Sequence, residues 1–359
     1  MVQNLNQSAS PICTYGPKLL KTTINSNNTV TSMTQLPFEK IERTILEKRK
    51  AKTDSKFGGI PEERPLETLI DLGVICINKP KGPTSHQVSA YLQKILKIKK
   101  AGHGGTLDPK VTGVLPTALG RATKIVQTLL PAGKEYVCIM HLHKEVDKEN
   151  IKKVMKSFVG KIRQLPPIKS AIKRQWRDRR IYYVDIQEID GQDVLFTVGC
   201  EAGTYIRKLC HDMGRKLKVG GHMAELIRTK AGPFNDKEMY TLQEVADAYH
   251  YAKEDKNEIY IRKIVKPVEF AVSHLPKIWV MDSAISSICH GADLKVPGIS
   301  KLHDQIERDQ LCAVFSLKDE LVAIGRAPMS SVELIKEEKG IAVKVNKVFM
   351  ATGTYPRME

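Results

Sequence analysis

Residues 101–120 read AGHGGTLDPKVTGVLPTALG, and no other run restricts the backbone as much. Gly102, Gly104 and Gly105 let the chain turn tightly or bring its backbone close to a ligand. Pro109 drives Asp108 toward an extended conformation, so no helix passes through it. Gly113 and Pro116 punctuate the exit. What remains is a polar, backbone-rich loop around a single carboxylate, Asp108. An Asp-Pro turn on an ordinary surface loop has the same local pattern, so other segments must decide between the two readings.

A chain of 359 residues suggests two domains and a tail, and 42% hydrophobic residues suffice for packed cores. No apolar run approaches the roughly 18–20 residues that cross a bilayer. The first residues lack the charged start and apolar stretch of a signal peptide. The seven cysteines are scattered with no CxxC pair, which argues against a zinc ribbon or a disulfide framework. They read as small buried apolar residues of a reducing compartment, and the expectation is a cytoplasmic protein with no membrane contact. The net charge is +17. From Lys277 onward 11 basic residues face 11 acidic ones, so the whole excess lies earlier in the chain. This points to a polyanionic partner, although solubility or an acidic protein partner would leave the same mark.

Residues 1–32 are rich in Asn, Ser and Thr without periodicity and read as a disordered tail, with Met33 as an alternative start. Residues 33–70 read as an extension carrying a basic helix over 38–52 and then a Gly/Pro-rich link. Residues 71–274 read as one domain. Its expected strands are 72–79, 134–143 and 193–202. Its expected helices run from Ser85 to about Lys97, over 119–130, from Asn150 to Val159 and from Tyr205 to Lys216. Thr84 and Gln87 are spaced as a capping box. In strand 134–143, alternation sets Tyr136, Cys138, Met140 and Leu142 on one side. Residues 275–352 read as a small β-barrel with a helix at Ser283–His290. The fold class is α+β, with a mixed, mainly antiparallel sheet followed by that barrel.

Between Lys161 and Arg180 stand eight basic residues, among them Lys169, Lys173, Arg174, Arg177, Arg179 and Arg180, against one acid, Asp178. Pro166 and Pro167 forbid a simple helix there. The strip reads as a phosphate-contacting surface, or as an ion-pair strip facing acids elsewhere.

GGTLDPKVTGVLP resembles the active-site motif of the TruB and dyskerin group of pseudouridine synthases, whose aspartate is catalytic; Asp108 holds that place. CEAGTYIRKLCHDMG resembles the family's third motif, whose arginine pairs with that aspartate, here Arg207. In KEY, Tyr136 matches the tyrosine that stacks on the target base, and Lys134 the lysine of the same motif. Leu226, in GHMAELIRTKAGPF, matches an apolar residue on the base's other side, and the segment reads as a helix. His103 matches a residue near the flipped nucleotide in bacterial relatives. Taken bare, a strand tyrosine or an apolar leucine equally serves core packing. The resemblance implies isomerisation of uridine in RNA, with no metal and no cofactor. An opposite charge within about 4–6 Å would keep the aspartate ionised, as acting on the sugar as nucleophile or base requires.

WVMDSAISSICHGADLKVPGI resembles the opening of a PUA domain, an RNA-binding module. The resemblance covers roughly residues 36–350. The 36–70 extension, the run from Tyr136 straight into HLHKEVDKEN, and PPIKSAIKRQWRDRRIYY favour the dyskerin-like, guide-dependent branch. That branch implies guide RNA, rRNA and tRNA, with a Nop-type protein, a Gar-type protein and a kink-turn binder as H/ACA partners. A stand-alone tRNA synthase and a non-catalytic RNA scaffold are the competing readings.

Overall fold

The computed structural model describes residues 34–166 and 173–357; the expected tail, the alternative start at Met33 and the candidate contact Lys169 lie outside them. In chain order come β1 (Ile45–Glu47), α1 (Leu66–Asp71), β2 (Gly73–Lys79), α2 (Ser85–Ile95), β3 (Ala101–His103) and β4 (Thr112–Leu119). There follow α3 (Val126–Leu129), β5 (Lys134–Leu142), α4 (Lys148–Lys156), β6 (Gly160–Gln164) and β7 (Arg177–Asp190). Next are β8 (Asp193–Cys200), α5 (Ile206–Lys216), β9 (Gly221–Ala231), β10 (Phe234–Asn235), α6 (Leu242–Glu254), α7 (Ile259–Ile264) and β11 (Lys266–Pro267). The C-terminal part holds β12 (Lys277–Val280), α8 (Asp282–Cys289), β13 (Leu294–Lys295), β14 (Ile299–His303) and β15 (Gln310–Phe315). It ends with β16 (Leu321–Ala327), α9 (Ser331–Lys336) and β17 (Ile341–Val348).

Local chemistry starts α2 where the sequence places it. The Thr84 hydroxyl accepts the Gln87 N–H at 3.1 Å, and the Gln87 side chain accepts the Thr84 N–H at 2.8 Å. The larger sheet runs β11-β2-β4-β9-β5-β8-β7-β6. Its described pairings are antiparallel except β4 with β9, which makes it mixed and mainly antiparallel. Both faces of β2 are covered, and its residues 73–77 are apolar. Ile75 and Ile77 pack with α1, α2, α6 and α7, while Val74 and Cys76 join a core shared with Trp279 and Phe315 of the C-terminal part. On β5 the alternation holds: Cys138, Met140 and Leu142 are buried with α4 and α5, and Tyr136 packs against them. The smaller sheet runs β1-β14-β12-β15-β16-β17-β13.

Three expectations need correction. Residues 38–52 form no helix: a short 3-10 turn, Pro37–Lys40, leads to β1, which pairs with β14 across Ile45 and His303. Ile41 and Ile45 lie exposed, so no apolar helical face has anything to cover, and the edge of the C-terminal sheet takes the segment instead. The 119–130 segment is a 3-10 turn, Gly120–Ile125, before the single turn of α3. Gly120 sits at φ +47° against Asp71, which also pairs with Arg121. Leu226 lies on a strand: β9 is a central strand between β4 and β5, and Leu226 faces Cys138 across the β5 pairing.

The extension ties the two sheets together. Glu39 pairs with Lys230 of β9 at 3.1 Å, Lys48 donates to the Ile335 and Glu337 carbonyls, and Arg64 reaches Glu269 through two bonds at 2.7 and 3.0 Å. Glu269 also accepts the Leu321 N–H of β16 at 2.8 Å. Glu269→Ala removes an acceptor shared by three segments and leaves Arg64 uncompensated. We expect it to cost about 2–3 kcal/mol in a urea unfolding series; a loss below about 0.5 kcal/mol, the range of an ordinary surface substitution, would show that the junction is not a structural staple.

Candidate active site

The loop that carries Asp108 is held by side chains that donate to its carbonyls. Ser85, at the start of α2, accepts the Leu107 N–H at 2.8 Å and donates to the Leu107 carbonyl at 3.2 Å. Lys79, fully buried at the end of β2, donates to the carbonyls of Pro80, Pro109 and Val111 at 2.8, 3.2 and 2.9 Å. Arg228 of β9, 1% exposed, donates to the Gly105 carbonyl at 3.1 Å and the Val114 carbonyl at 2.7 Å. Gly113 lies at φ +100° on the Arg228 backbone, where a Cβ would stand 2.3 Å from the Arg228 oxygen. Glycine is therefore required there.

The Asp108 carboxylate itself stays outside this packing. It is 54% exposed and ion-paired with the Arg207 guanidinium, itself 56% exposed. Arg207 stands in the first turn of α5. Just ahead of that helix, Gln164 accepts the Tyr205 N–H at 3.0 Å and donates to the Tyr205 carbonyl at 3.2 Å. The start of α5 is thereby tied to β6.

Beneath the pair lies an apolar floor. Tyr136 packs on a cluster that includes Leu107, Val111, Ile206 and Leu226. Across the strands Tyr136 faces Arg228. Burial raises the Tyr136 phenol, and the Arg228 charge opposes that rise. Lys134 is buried behind the floor, its ammonium bonded to the carbonyls of Leu129, Leu130 and Ala132 at 3.1, 2.7 and 2.7 Å. All three of its N–H groups are committed. Burial, aided by the Arg228 charge, pushes it down to about 7. His103 borders the loop on β3, both ring nitrogens without a hydrogen-bond partner, edge-on to His86 at 4.8 Å. Burial first, then His86 and Arg228, lower it to about 4.

Known proteins are similar to this one over almost the whole described chain. TruB family pseudouridylate synthase (N terminal domain) matches residues 93–206, tRNA pseudouridylate synthase B C-terminal domain 207–273, PUA domain 276–349 and DKCLD (NUC011) domain 33–89. A probable tRNA pseudouridine synthase B of Pyrococcus abyssi is 56% identical over 324 residues, covering 90% of this chain and 97% of that protein. Its counterpart in Thermococcus onnurineus is 55% identical over the same shares. The chain belongs to the TruB family of pseudouridine synthases. A chain in the crystal structure of a Cbf5-Nop10-Gar1 complex superposes with TM-score 0.87 at 55% identity, covering 90% of this chain and 99% of that one. A chain in an H/ACA RNP bound to a substrate RNA containing 2'-deoxyuridine does so with TM-score 0.85 at 53% identity, over 90% and 99%.

The structure of this synthase pairs Asp108 with Arg207, brings Tyr136 and Leu226 into the one apolar cluster that holds their chain neighbours Leu107 and Ile206, and buries Lys134. The basic strip is less uniform than its sequence. Lys173, Arg174 and Arg180 are exposed. Arg179 turns inward, donating to the Asp178 carbonyl at 2.8 Å and lying 3.9 Å from Glu201. Arg177 is half-buried with its Nε unpartnered. Sequence reasoning missed Lys79, Ser85 and Arg228. Arg228 had a readable signal: it follows Leu226 by two, and on a strand the two share a face.

His103 makes a pH prediction. Its folded value, about 4, lies below the unfolded value near 6.5, so the unfolded chain binds more protons between them and stability falls as pH drops through that window. Between pH 7 and pH 5, His103→Gln should lose about 2 kcal/mol less stability than the unaltered protein. Equal losses in urea titrations at the two pH values would show that His103 is not held neutral.

Proposed function

We propose that Asp108 is the catalytic carboxylate of this pseudouridine synthase and that the chain serves as the catalytic subunit of a guide-RNA ribonucleoprotein of the H/ACA type. The observation that carries the first part is the half-exposed Asp108–Arg207 pair at the mouth of an otherwise tightly bonded loop. Isomerisation breaks the bond between the sugar's carbon 1 and nitrogen 1 of the base, turns the base, and joins carbon 1 to carbon 5; the carbon-5 proton leaves and nitrogen 1 takes up a proton, so the product is an isomer. Asp108 attacks the sugar carbon or removes a sugar proton, and either role needs the ionised form. Tyr136 and Leu226 form the apolar seat of a base drawn out of its stack, which offsets part of the few kcal/mol that unstacking costs. Lys134 and Arg228 act from behind, as positioning residues for the strand and the loop.

The second part rests on similarity to chains solved with Nop10 and Gar1 and with substrate RNA. On this reading a Nop-type protein and a Gar-type protein are partners, as in those complexes, and a kink-turn-binding protein, guide RNA, rRNA and tRNA complete a cytoplasmic assembly. The names of the curated relatives favour a second reading, a tRNA synthase acting alone. Tritium release from carbon-5-labelled uridine separates the two. Turnover only on a guided target with partner proteins supports the first reading, and turnover on a tRNA transcript offered to the protein alone supports the second. In either assay Asp108→Asn should lower turnover about 1,000-fold, with RNA affinity within about twofold. Substantial residual turnover would sink the assignment of Asp108.

Replacing Lys173, Arg174 and Arg180 by Gln should weaken RNA binding and reduce the slope of log affinity against log salt by about one for each phosphate that is no longer neutralised. An unchanged slope would mean that the strip faces protein.

A further inference from the structure

The face of β5 turned away from Tyr136 carries a buried polar centre, and it lies where β9 breaks its register. Opposite Lys134 and Glu135 of β5 stand Ala231 and Lys230, but opposite Tyr136 and Cys138 stand Arg228 and Leu226. Thr229 is therefore an extra residue, a β-bulge in β9. Residues two apart on a regular strand share a face. Here Arg228 pairs with Tyr136 and holds the Asp108 loop, while Lys230 turns to Glu135 on the other face. With no extra residue, the pairing of Glu135 with Lys230 would carry Arg228 and Leu226 to the Glu135 face as well.

Glu135, 7% exposed, holds this break from both sides. One carboxylate oxygen accepts the Thr229 hydroxyl at 2.8 Å, and the other accepts the Tyr183 hydroxyl of β7. Lys230 lies 3.6 Å from that second oxygen and 3.1 Å from Glu39 of the extension. Burial first, then the bond to Glu135, raise the Tyr183 hydroxyl well above its ordinary value, so it stays a donor. Its ring lies across Gly199 of β8, where a Cβ would stand 2.3 Å from it. A buried carboxylate is costly unless its lone pairs are met, and this one is met in part by the residue that has no place in the ladder. We infer that Glu135 is a positioning residue for the reaction: by clasping Thr229 it fixes the bulge, and the bulge turns Leu226 and Arg228 to the active-site face while leaving Lys230 to the extension. The inference rests on the synthase reading and assigns to it two residues that never touch the substrate.

Glu135→Ala strands two hydroxyls and would test folding as much as placement. Thr229→Val removes one hydroxyl at nearly equal volume and carries the test. In single-turnover tritium release at saturating RNA it should lower the rate about tenfold, the effect of a small misplacement, with the dissociation constant for RNA within about twofold. Thr229→Ser keeps the hydroxyl and should restore the rate to within about twofold. Hydrogen exchange at the amides of residues 226–231 should be faster in Thr229→Val, with β15 and β16 unchanged. A Thr229→Val rate within about twofold of the unaltered protein's would overturn the inference whatever the exchange shows. Equal losses in the Val and Ser variants, or a loss confined to RNA affinity, would overturn it too. If the unaltered protein forms no pseudouridine, the synthase reading fails by itself, and unchanged exchange in Thr229→Val would then show that Glu135 does not hold the bulge.

Discussion

Arg228 holds a buried guanidinium against backbone carbonyls rather than a carboxylate, and the active site takes its shape from that choice. Its bonds to Gly105 and Val114 span the two ends of the loop that contains Asp108. Lys79 grips the same loop at Pro109 and Val111, and Lys134 grips the end of α3 behind it. A buried cation is expensive unless its donors are met, and carbonyls meet them here without neutralising the charge. Uncancelled positive charge therefore gathers under the pocket. Burial, aided by that charge, lowers His103 and Lys134; the charge opposes the rise that burial gives Tyr136, and Asp108 is the acid that faces it. A fold that met these donors with carboxylates would have placed competing acids beside Asp108.

The extension applies a similar economy to domain placement. Its start is anchored on β9 through Glu39 and Lys230, its middle adds β1 to the C-terminal sheet, and its end returns to Glu269 through Arg64. Trp279 and Phe315 of the C-terminal part share one apolar core with Val74 and Val114. The basic first domain and the charge-neutral PUA domain are thus held in one compact unit from Thr34 onward.

What the sequence disclosed was what local chemistry decides. The capping box of Thr84 and Gln87, the alternation through β5, and the Asp108 loop with its proline and glycines each depend on neighbours a few residues away. The failures depended on distant ones. Residues 38–52 had helix-forming composition, but their partner is β14; Thr44 bonds Asp304, 260 positions on. Leu226 was read on a helix because a single apolar position carries no period, and only the gap between β4 and β5 makes it a strand residue. Lys79 closes the apolar run GVICINK, where a lysine ordinarily signals the solvent end of a strand. Its burial follows from three carbonyls, two of which arrive from thirty residues later.

The exposure of the Asp108–Arg207 pair separates function from stability. An ion pair in water is worth about 0–1 kcal/mol, because solvent screens it and two side chains must be held still. Nothing in the folding balance calls for such a pair at the tip of a loop secured by Lys79, Ser85 and Arg228. The buried donors stabilise the loop's backbone, and the carboxylate they leave outside is free to exchange its partner. An arriving ribose with its phosphates can take up part of Arg207 while Asp108 turns to the sugar, and the scaffold beneath need not move. Burying the pair would have strengthened it and closed the mouth. The half-exposed arrangement leaves the carboxylate within reach of a ligand as bulky as RNA.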